Sequence, residues 1–434
     1  MFSIVALVLL TACGDAAHSS GSPEEHPAAY VAQAETGAAK DTVEDDTAAA
    51  GETFGEDAAL SGNDPSAGAA AGGGNAADVS GNDLSGSGDH AADVSGNDPS
   101  GFAHSAWITD HEKVKGIYVT GPMAGSSGME DLISLIDETE LNAVVIDIKD
   151  DNGNITFLSD RASVASTGAS VNYIRDIDAL MQTLKDHQIY TIARIVCFKD
   201  PTLAAAREDL ALKTASGTPV TDGNGLAWVN PCSEDVWAYL TDVALMCKDL
   251  GFDEVQFDYV RFPVGKDASA ADYGVEISGD TRHTYIEGFL NYAAEKLHEA
   301  DMPVTADVFG TIIGSAVDVA SVGQDYAALG GILDAICPMI YPSHYAPGVF
   351  GLDVPDAHPY ETIYAALTGS KEELADIPAE NCAIVRPWLQ AFTAGWVTGH
   401  IKYDDAAIRA QINAVTDAGY EEWILWNAAN RYHF

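Results

Sequence analysis

Basic residues are scarce in this sequence of 434 residues. Lysine and arginine together number 21, against 66 aspartates and glutamates, and the formal net charge is −45. Proteins bind nucleic acid and anionic membrane surfaces through clustered basic side chains that neutralise phosphates. The composition therefore argues against nucleic acid as a partner and disfavours a polyanionic substrate. It equally fits a chain that must stay soluble in a salty or acidic environment.

Several motifs that would assign a chemistry are also missing. No stretch after residue 13 reaches the roughly 18 apolar residues of a spanning helix. The Gly-rich segment 121–128 fits neither the dinucleotide fingerprint nor the P-loop pattern. No Gly-x-Ser-x-Gly elbow follows a predicted strand, and no cysteines have the spacing of a metal site. We therefore expect no cofactor and no metal ion.

Six cysteines are present, and an odd number remains once Cys13 is set aside. At least one of the other five must then be unpaired in a monomer. Cys197 and Cys337 lie in apolar, strand-like runs, which predicts buried thiols. A disulfide between Cys232 and Cys247 stays open as an alternative.

The N-terminus has the pattern of a targeting signal. Residues 2–10 form a short apolar run, and the small residues Thr11 and Ala12 precede Cys13, as in a bacterial lipobox. We predict that residues 1–13 are a lipoprotein signal peptide and that Cys13 is lipidated. No lysine or arginine precedes the run, so a plain signal peptide or a buried strand remain alternatives. The prediction places the protein on the extracytoplasmic face of the cell membrane, held by the lipid anchor alone.

Residues 14–106 have the composition of a linker. They are rich in Ala, Gly, Ser, Asp and Pro, carry 17 acidic residues, and have Lys40 as their one lysine or arginine. An imperfect repeat recurs at 61–66, 77–86 and 92–101. Low hydrophobicity with high net charge predicts a disordered acidic linker, extended by self-repulsion. Weak calcium binding by the Asp-containing repeats is a minor alternative, because a regular nonapeptide pattern is lacking.

From residue 114 onward, short apolar runs alternate with amphipathic stretches. The predicted strands are 114–121, 143–150, 189–198, 254–262, 303–310, 335–343, 383–392 and 422–428. The predicted helices are 129–141, 171–187, 233–250, 282–300, 324–331, 360–368 and 404–418. This alternation predicts parallel βαβ units, and eight strands suffice to close a (β/α)8 TIM barrel over residues 107–434. An open doubly wound sheet is the alternative.

The active site of such a barrel lies at the C-terminal ends of its strands. Because inward positions alternate along a strand, polar residues late in the strands are candidates for binding substrate: Tyr118, Asp147, Lys149, Arg194, Gln256 and Arg261. Aromatic and imidazole side chains near the same rim offer faces for sugar rings: Tyr341, His344, Trp388 and Trp426. Since a lone carboxylate in an apolar strand is costly unless paired, the alternative is a stabilising ring of buried salt bridges or a metal site.

Two carboxylates stand out for glycoside hydrolysis, which needs one to protonate the leaving oxygen and another to act as nucleophile or base. Asp258 and Asp307 lie late in neighbouring predicted strands. We assign Asp258 as nucleophile or stabilising carboxylate, aided by a nearby arginine. Asp307 is the expected general acid/base, which requires its pKa to be raised by burial. Asp147 is the alternative for either role.

Five segments carry a family resemblance: VKGIYVTG at 114–121, NAVVIDIKDDNG at 142–153, FDEVQFDYVRFP at 252–263, ADVFG at 306–310 and PMIYPSHY at 338–345. Together they resemble the putative glycosyl hydrolase domain, a bacterial family distantly similar to α-amylase-like hydrolases. The resemblance spans about residues 110–434 and implies a TIM barrel that hydrolyses glycosidic bonds. In amylase-like barrels the nucleophile is an Asp on strand 4 and the acid a Glu on strand 5. Asp258 matches the first, whereas Asp307 departs from the second.

We therefore expect a retaining glycosidase that acts on a polysaccharide. The alternative is a non-catalytic carbohydrate-binding barrel or a cell-envelope scaffold. Carboxyl groups about 5–5.5 Å apart indicate a retaining mechanism and ~6.5–9.5 Å an inverting one. An Asp258 locked in a salt bridge away from the cleft would favour the scaffold. A deacetylase ranks last, because His344 is the one histidine that the pattern puts at the rim.

Overall fold

The computed structural model describes Trp107, residues 111–265 and residues 267–433. The predicted signal peptide 1–13, the lipidation site Cys13 and the acidic linker 14–106 lie outside the described residues. Within the described part of the chain, none of the helices has both the length and the apolarity needed to cross a bilayer.

Eight parallel strands form a closed barrel. They are β1 (Lys115–Val119), β2 (Ala143–Lys149), β3 (Tyr190–Val196), β4 (Glu254–Asp258), β5 (Val304–Phe309), β6 (Ala335–Ile340), β7 (Ile384–Val385 continuing as Trp388–Gln390) and β8 (Trp423–Trp426). Each strand pairs in parallel with the next. The barrel closes where β8 pairs with β1, with Lys115 opposite Trp423. The predicted TIM barrel is confirmed, and the alternative of an open sheet is wrong.

The strands follow from their composition. All seven residues of β2 are buried, as expected for a strand of a parallel sheet that is covered on both faces. The interruption of β7 falls at Arg386 and Pro387, because proline has no N–H to donate to a ladder. Strand β4 ends at Asp258, four residues before its predicted end, because Tyr259 adopts a left-handed backbone with φ of 50°.

Helices separate the strands. They are α1 (Gly121–Ala124), α2 (Gly128–Glu138), α3 (Ala162–Thr167), α4 (Ile177–Asp186), α5 (Pro201–Ala206), α6 (Glu234–Asp249), α7 (Arg282–His298), α8 (Ala316–Val322), α9 (Tyr326–Gly330), α10 (Pro359–Glu373) and α11 (Asp405–Asp417). Short 3-10 turns lie at Ala268–Ala270, Gly310–Ile312, Pro342–His344, Val349–Gly351, Pro355–Ala357 and Ala379–Asn381. Helix α4 begins six residues after its predicted start, because Asp176 caps it by accepting the N–H of Ala179.

Two apolar clusters hold the fold together. The larger one lies between the strands and the surrounding helices. The smaller one fills the barrel interior and includes Tyr118, Ile192, Cys337, Trp388 and Trp426. Buried polar and charged side chains occupy the rest of the interior, at the two ends of the barrel. Their burial is stable because the charged groups are paired with one another.

The described cysteines carry free thiols, three of them buried: Cys197, Cys247 and Cys337. The prediction of buried thiols at Cys197 and Cys337 is confirmed. Cys232 and Cys247 do not form the disulfide that the sequence left open.

The N-terminal end of the barrel is closed by a buried charge network centred on Arg386. Its Nη1 lies 2.6 Å from Glu254 Oε1, and its Nε lies 2.8 Å from Glu422 Oε2. Thr305 donates its hydroxyl to Glu254, and His111 Nε2 lies 2.5 Å from Glu422 Oε1. Buried salt bridges of the kind that the sequence left open therefore exist at this end, and Arg194 forms a second buried set with Asp147 and Asp258 at the end expected to hold the active site.

This network predicts a large stability cost for Arg386→Met. Removing the guanidinium leaves Glu254 and Glu422 without their shared cation inside the barrel, which costs about 3–5 kcal/mol. The free energy of unfolding, measured by denaturant titration of the full chain, should fall by that amount. Lys115→Met is the control, because the half-exposed Lys115–Glu140 pair is worth about 0–1 kcal/mol. Equal effects of the two substitutions would contradict the prediction.

Candidate active site

At the C-terminal end of the barrel, Arg194 on β3 joins three carboxylates. Its Nε and Nη2 donate to Asp258 Oδ2 at 2.9 and 2.6 Å, and its Nη1 donates to Asp147 Oδ1 at 2.6 Å. Nη1 also lies 3.3 Å from Asp151 Oδ2. The rigid fork of a guanidinium can satisfy several carboxylate oxygens at once, which a lysine could not do from the same position.

Strand register brings these groups together. Asp147 lies directly opposite Arg194 across the β2–β3 ladder. On the next strand, Arg194 is opposite Gln256 and Val196 is opposite Asp258. Asp258 is therefore two residues further along than the partner of Arg194, on the same inward face. The sequence pattern predicted this shared face for Asp147, Arg194 and Asp258, and the register confirms it.

Asp258 and Asp307 occupy equivalent positions on neighbouring strands. The β4–β5 ladder pairs Gln256 with Thr305 and Phe257 with Ala306, so the next step brings Asp258 beside Asp307. Neighbouring strands lie about 4.8 Å apart. The two carboxylates therefore lie side by side at one height in the barrel mouth.

The surroundings of the two carboxylates differ sharply. Asp258 is bonded to the cation Arg194, whereas Asp307 Oδ1 accepts the neutral indole N–H of Trp388 at 2.6 Å. Burial raises the pKa of Asp307 well above its usual range, and the negative charge of Asp258 adds to the effect. A carboxyl group whose raised pKa favours its proton is suited to act as the acid beside a carboxylate that is paired with a cation.

Asp147 is held on two sides. The hydroxyl of Tyr118 donates to its Oδ2, and Arg194 donates to its Oδ1. Burial raises the pKa of Asp147 to about 7, against the opposing effect of Arg194. Both carboxylate oxygens of Asp147 are thus hydrogen-bonded within the barrel. Asp147 is connected to Asp258 through Arg194, which donates to both carboxylates.

Three aromatic residues expected to stack on sugar rings are packed on one another instead. Tyr118 stacks on Trp426 with ring centroids 4.0 Å apart, and Trp388 meets Trp426 edge-on at 5.4 Å. All three are buried in the barrel interior. Their faces are covered because they fill the lumen, and this corrects the expectation of direct sugar stacking. Trp388 contributes through its N–H to Asp307 instead.

Lys149 is also placed away from the barrel mouth. A bulge in β2 between Asp147 and Lys149 aligns Lys149 with Ile195, a residue of the outer core. A one-residue shift moves a side chain to the opposite face of a sheet. Lys149 is 0% exposed and its Nζ lies 2.8 Å from Asp200 Oδ2. Its expected substrate contact is therefore corrected to a structural ion pair.

Gln256 and Arg261 are likewise enclosed. Gln256 lies in the interior, with Nε2 3.0 Å from Cys337 Sγ. The guanidinium of Arg261 lies over the rings of Trp228, Tyr259 and Phe309, at 5.0, 5.2 and 4.7 Å from their centroids. Both side chains are buried, so the structure corrects their expected contact with substrate.

Tyr341 and His344 lie at the rim, as predicted. Burial raises the pKa of Tyr341 well above its usual range, and the negative charges of Asp307 and Asp258 add to the effect. His344 is half-buried, and its ring meets Tyr341 edge-on at 5.3 Å. Burial lowers the pKa of His344 to about 4, so the imidazole is neutral near pH 7. Tyr341 is 4% exposed and packs in the interior cluster with Trp388 and Trp426, and contact of Tyr341 and His344 with a substrate stays a prediction.

Sequence reasoning missed Asp151 and Lys199, which follow β2 and β3. Lys199 Nζ lies 2.5 Å from Asp151 Oδ1 and 3.8 Å from the ring centroid of Tyr259. The adjacent acidic residues at 150–151 were a usable signal for this site, although Asp150 itself forms a turn by accepting the backbone N–H groups of Asn152 and Asn154. In the described residues, no group of three or more His, Cys, Asp or Glu side chains could hold a metal ion.

Comparisons with known proteins agree with this fold. A family model described as "Putative glycosyl hydrolase domain" matches residues 116–432. No curated protein matches the chain.

A solved hypothetical protein from Ruminiclostridium thermocellum is 36% identical, over 44% of this chain and 97% of its own, with a TM-score of 0.40. The PgaB (BpsB) glycoside hydrolase domain from Bordetella bronchiseptica is 14% identical, over 73% and 94%, with a TM-score of 0.54. A class V chitinase from Pseudomonas fluorescens is 12% identical, over 74% and 96%, with a TM-score of 0.46.

The raised pKa of Asp147 predicts a pH-dependent stability. A carboxyl group with a raised pKa in the folded state stabilises the fold below its unfolded pKa, and this contribution is lost as pH rises through the folded value. Between pH 5 and 7 the free energy of unfolding of the wild type should fall by about 1–2 kcal/mol relative to Asp147→Asn. Denaturant titrations across this range measure the difference. Asp131→Asn, exposed on α2, is the control: because it keeps Asp147, its free energy of unfolding should change with pH as that of the wild type does. A wild-type free energy of unfolding that rises with pH relative to that of Asp147→Asn would contradict the assignment.

Proposed function

The chain belongs to the putative glycosyl hydrolase domain family, and from that premise we propose that it hydrolyses O-glycosidic bonds of a polysaccharide through Asp258 and Asp307. One observation carries the proposal. Two carboxylates lie side by side on neighbouring strands at the barrel mouth, one paired with Arg194 and the other bonded to a neutral indole. The family gives the reaction class, and the contrast in charge suggests the division of roles.

In the proposed first step, Asp258 attacks the anomeric carbon and forms a glycosyl ester, while Asp307 protonates the departing glycosidic oxygen. In the second step, Asp307 takes a proton from water, the water oxygen attacks the same carbon, and the carboxylate of Asp258 is released. Retaining enzymes hold their two carboxyl groups about 5–5.5 Å apart, and the retaining mechanism proposed here requires that separation between Asp258 and Asp307.

The local backbone supports the role of Asp258. Its Oδ1 accepts the N–H of Tyr259 at 2.6 Å, and Tyr259 holds a left-handed conformation to do so. Such a conformation costs about 1–3 kcal/mol for a non-glycine residue, and it concentrates at functional sites. Together with Arg194, it holds the carboxylate in one orientation before substrate arrives.

A second candidate is a non-catalytic carbohydrate-binding barrel. It is favoured by the ion pair of Asp258 with Arg194 and by the low exposure of the carboxylates, 5% for Asp258 and 1% for Asp307. The ion pair lies in the barrel mouth beside Asp307, which is the arrangement that an enzyme also requires. The two candidates differ in whether a bound glycan is cleaved.

Substitution of the two carboxylates tests the proposed chemistry. After a glycan panel identifies a substrate of the wild type, Asp258→Asn and Asp307→Asn should each abolish its turnover while the fold persists. NMR of the first-formed product should show the anomeric configuration of the substrate. Asp131→Asn is the matched control on α2. Wild-type rates in both variants would contradict the assignment, and an inverted product would contradict the retaining mechanism.

The raised pKa of Asp307 also predicts how kcat/KM changes with pH. Asp307 must carry a proton in the first step, so kcat/KM should fall on the alkaline side as that proton is lost. On an aryl glycoside whose leaving group needs no protonation, Asp307→Asn should retain glycosyl-ester formation without this alkaline limb. An unchanged alkaline limb in Asp307→Asn would assign the proton to another group.

We further propose that the protein is exported and anchored through a lipid on Cys13, with the acidic segment 14–106 as a spacer. In a bacterial host, Cys13→Ser should move the protein out of the membrane fraction, and incorporation of a fatty-acid label should stop. Ser20→Ala, in the linker, should change neither result. A Cys13→Ser variant that stays in the membrane fraction would contradict the anchor.

A further inference from the structure

Beyond the barrel mouth, Trp396 presents an exposed aromatic face. It lies in the segment that follows β7, and its side chain is 63% exposed. Its ring is stacked with Phe392, with centroids 6.1 Å apart and planes 20° apart. Exposing an indole forfeits the free energy that its burial would give, about 25 cal/mol per Å². A large exposed aromatic side chain is therefore a candidate ligand contact.

The segment that carries Trp396 is held by buried hydrogen bonds. Asp356 Oδ1 accepts Gln390 Nε2 at 2.9 Å, and Asp356 Oδ2 accepts the N–H of Ile401 at 3.3 Å. The hydroxyl of Tyr403 donates to the Asp356 carbonyl at 3.1 Å. Asp356 thus ties both ends of residues 391–403 to one buried point. Trp396 is held outward by a structured loop, which lowers the entropic cost of using it as a binding surface.

Aromatic contacts lead from Trp396 towards the carboxylates. Phe392, beneath Trp396, meets Tyr341 edge-on at 5.9 Å and His344 at 6.4 Å. Tyr341 packs in the same buried cluster as Trp388, whose indole N–H donates to Asp307. Gln390 fixes the segment that carries Tyr341 and His344, because its Oε1 accepts the backbone N–H of Ser343 at 3.0 Å. The exposed ring is therefore continuous with the candidate active site.

The charges at the mouth indicate the chemistry of the ligand. Arg194 is bonded to Asp258 and Asp147, and Lys199 is bonded to Asp151. These two cations already have carboxylate partners, so they favour an uncharged ligand over an anionic sugar. Pyranose rings have an apolar C–H face that packs flat on an indole, with hydroxyl groups directed to water at the edge.

We propose that Trp396 and Phe392 form a stacking subsite for a neutral pyranose unit of a chain whose other units extend to Asp258 and Asp307. The inference rests on the proposed function and adds to it a requirement for an oligomeric substrate. A monosaccharide glycoside bound at Asp258 and Asp307 would not reach Trp396. The subsite therefore contributes to the affinity for chains and leaves the chemical step unchanged.

Binding to the full chain in the non-hydrolysing Asp258→Asn background tests this subsite. The probes are four neutral hexasaccharides: β-1,4-glucose, α-1,4-glucose, β-1,4-xylose and β-1,4-N-acetylglucosamine. By calorimetry, at least one should bind, and Trp396→Ala should weaken its Kd about three- to tenfold, the effect of one aromatic contact. Trp396→Phe should restore part of the affinity. Tyr364→Ala is the control, because Tyr364 is 42% exposed and stacked on Tyr360 in the outer helix α10.

In the enzyme with Asp258 intact, Trp396→Ala should raise KM for the chain and leave kcat and the rate on a small aryl glycoside unchanged. Unchanged hexasaccharide affinity in Trp396→Ala, or no binding by any of the four probes, would overturn the subsite. If Trp396→Ala weakens binding but the wild type never cleaves the bound chain, the subsite stands and the proposed hydrolysis fails.

Discussion

The candidate site depends on one buried cation. Arg194 donates to both Asp258 and Asp147, which come from two different strands and would be costly to bury without it. It also breaks the symmetry between Asp258 and Asp307, because only the first of this pair is hydrogen-bonded to the guanidinium. Without that asymmetry, the neighbouring carboxylates would have similar environments and no physical basis for separate roles.

The barrel uses buried charge at both ends, with different consequences. At the N-terminal end, Arg386 is surrounded by Glu254 and Glu422, and the network closes the structure. At the C-terminal end, Arg194 is bonded to Asp258 and Asp147. Beside Asp258, Asp307 has a raised pKa and is hydrogen-bonded to a neutral indole. The first arrangement pairs both carboxylates with Arg386, whereas the second keeps one carboxyl group that favours its proton. Such a group is suited to acid catalysis.

Aromatic residues divide in the same way between structure and recognition. Trp388 and Trp426 lie inside the barrel, where their rings pack on each other and Trp388 supports Asp307. Trp396 is held outside by a loop whose ends are tied to buried Asp356. Residue type alone does not separate these functions, since a tryptophan serves either as packing or as a sugar platform according to which of its faces are covered.

The sequence by itself determined the barrel, because strand and helix periodicity is a local property, and the inward phase of Asp147, Arg194 and Asp258 follows from alternation. Only the tertiary structure decided which side chains are covered. The bulge in β2 turned Lys149 to the outer core, and lumen packing covered Trp388. The exposure of Trp396 depends on distant Asp356. Bulges, packing and long-range hydrogen bonds depend on contacts between residues far apart in the chain, which local patterns do not encode.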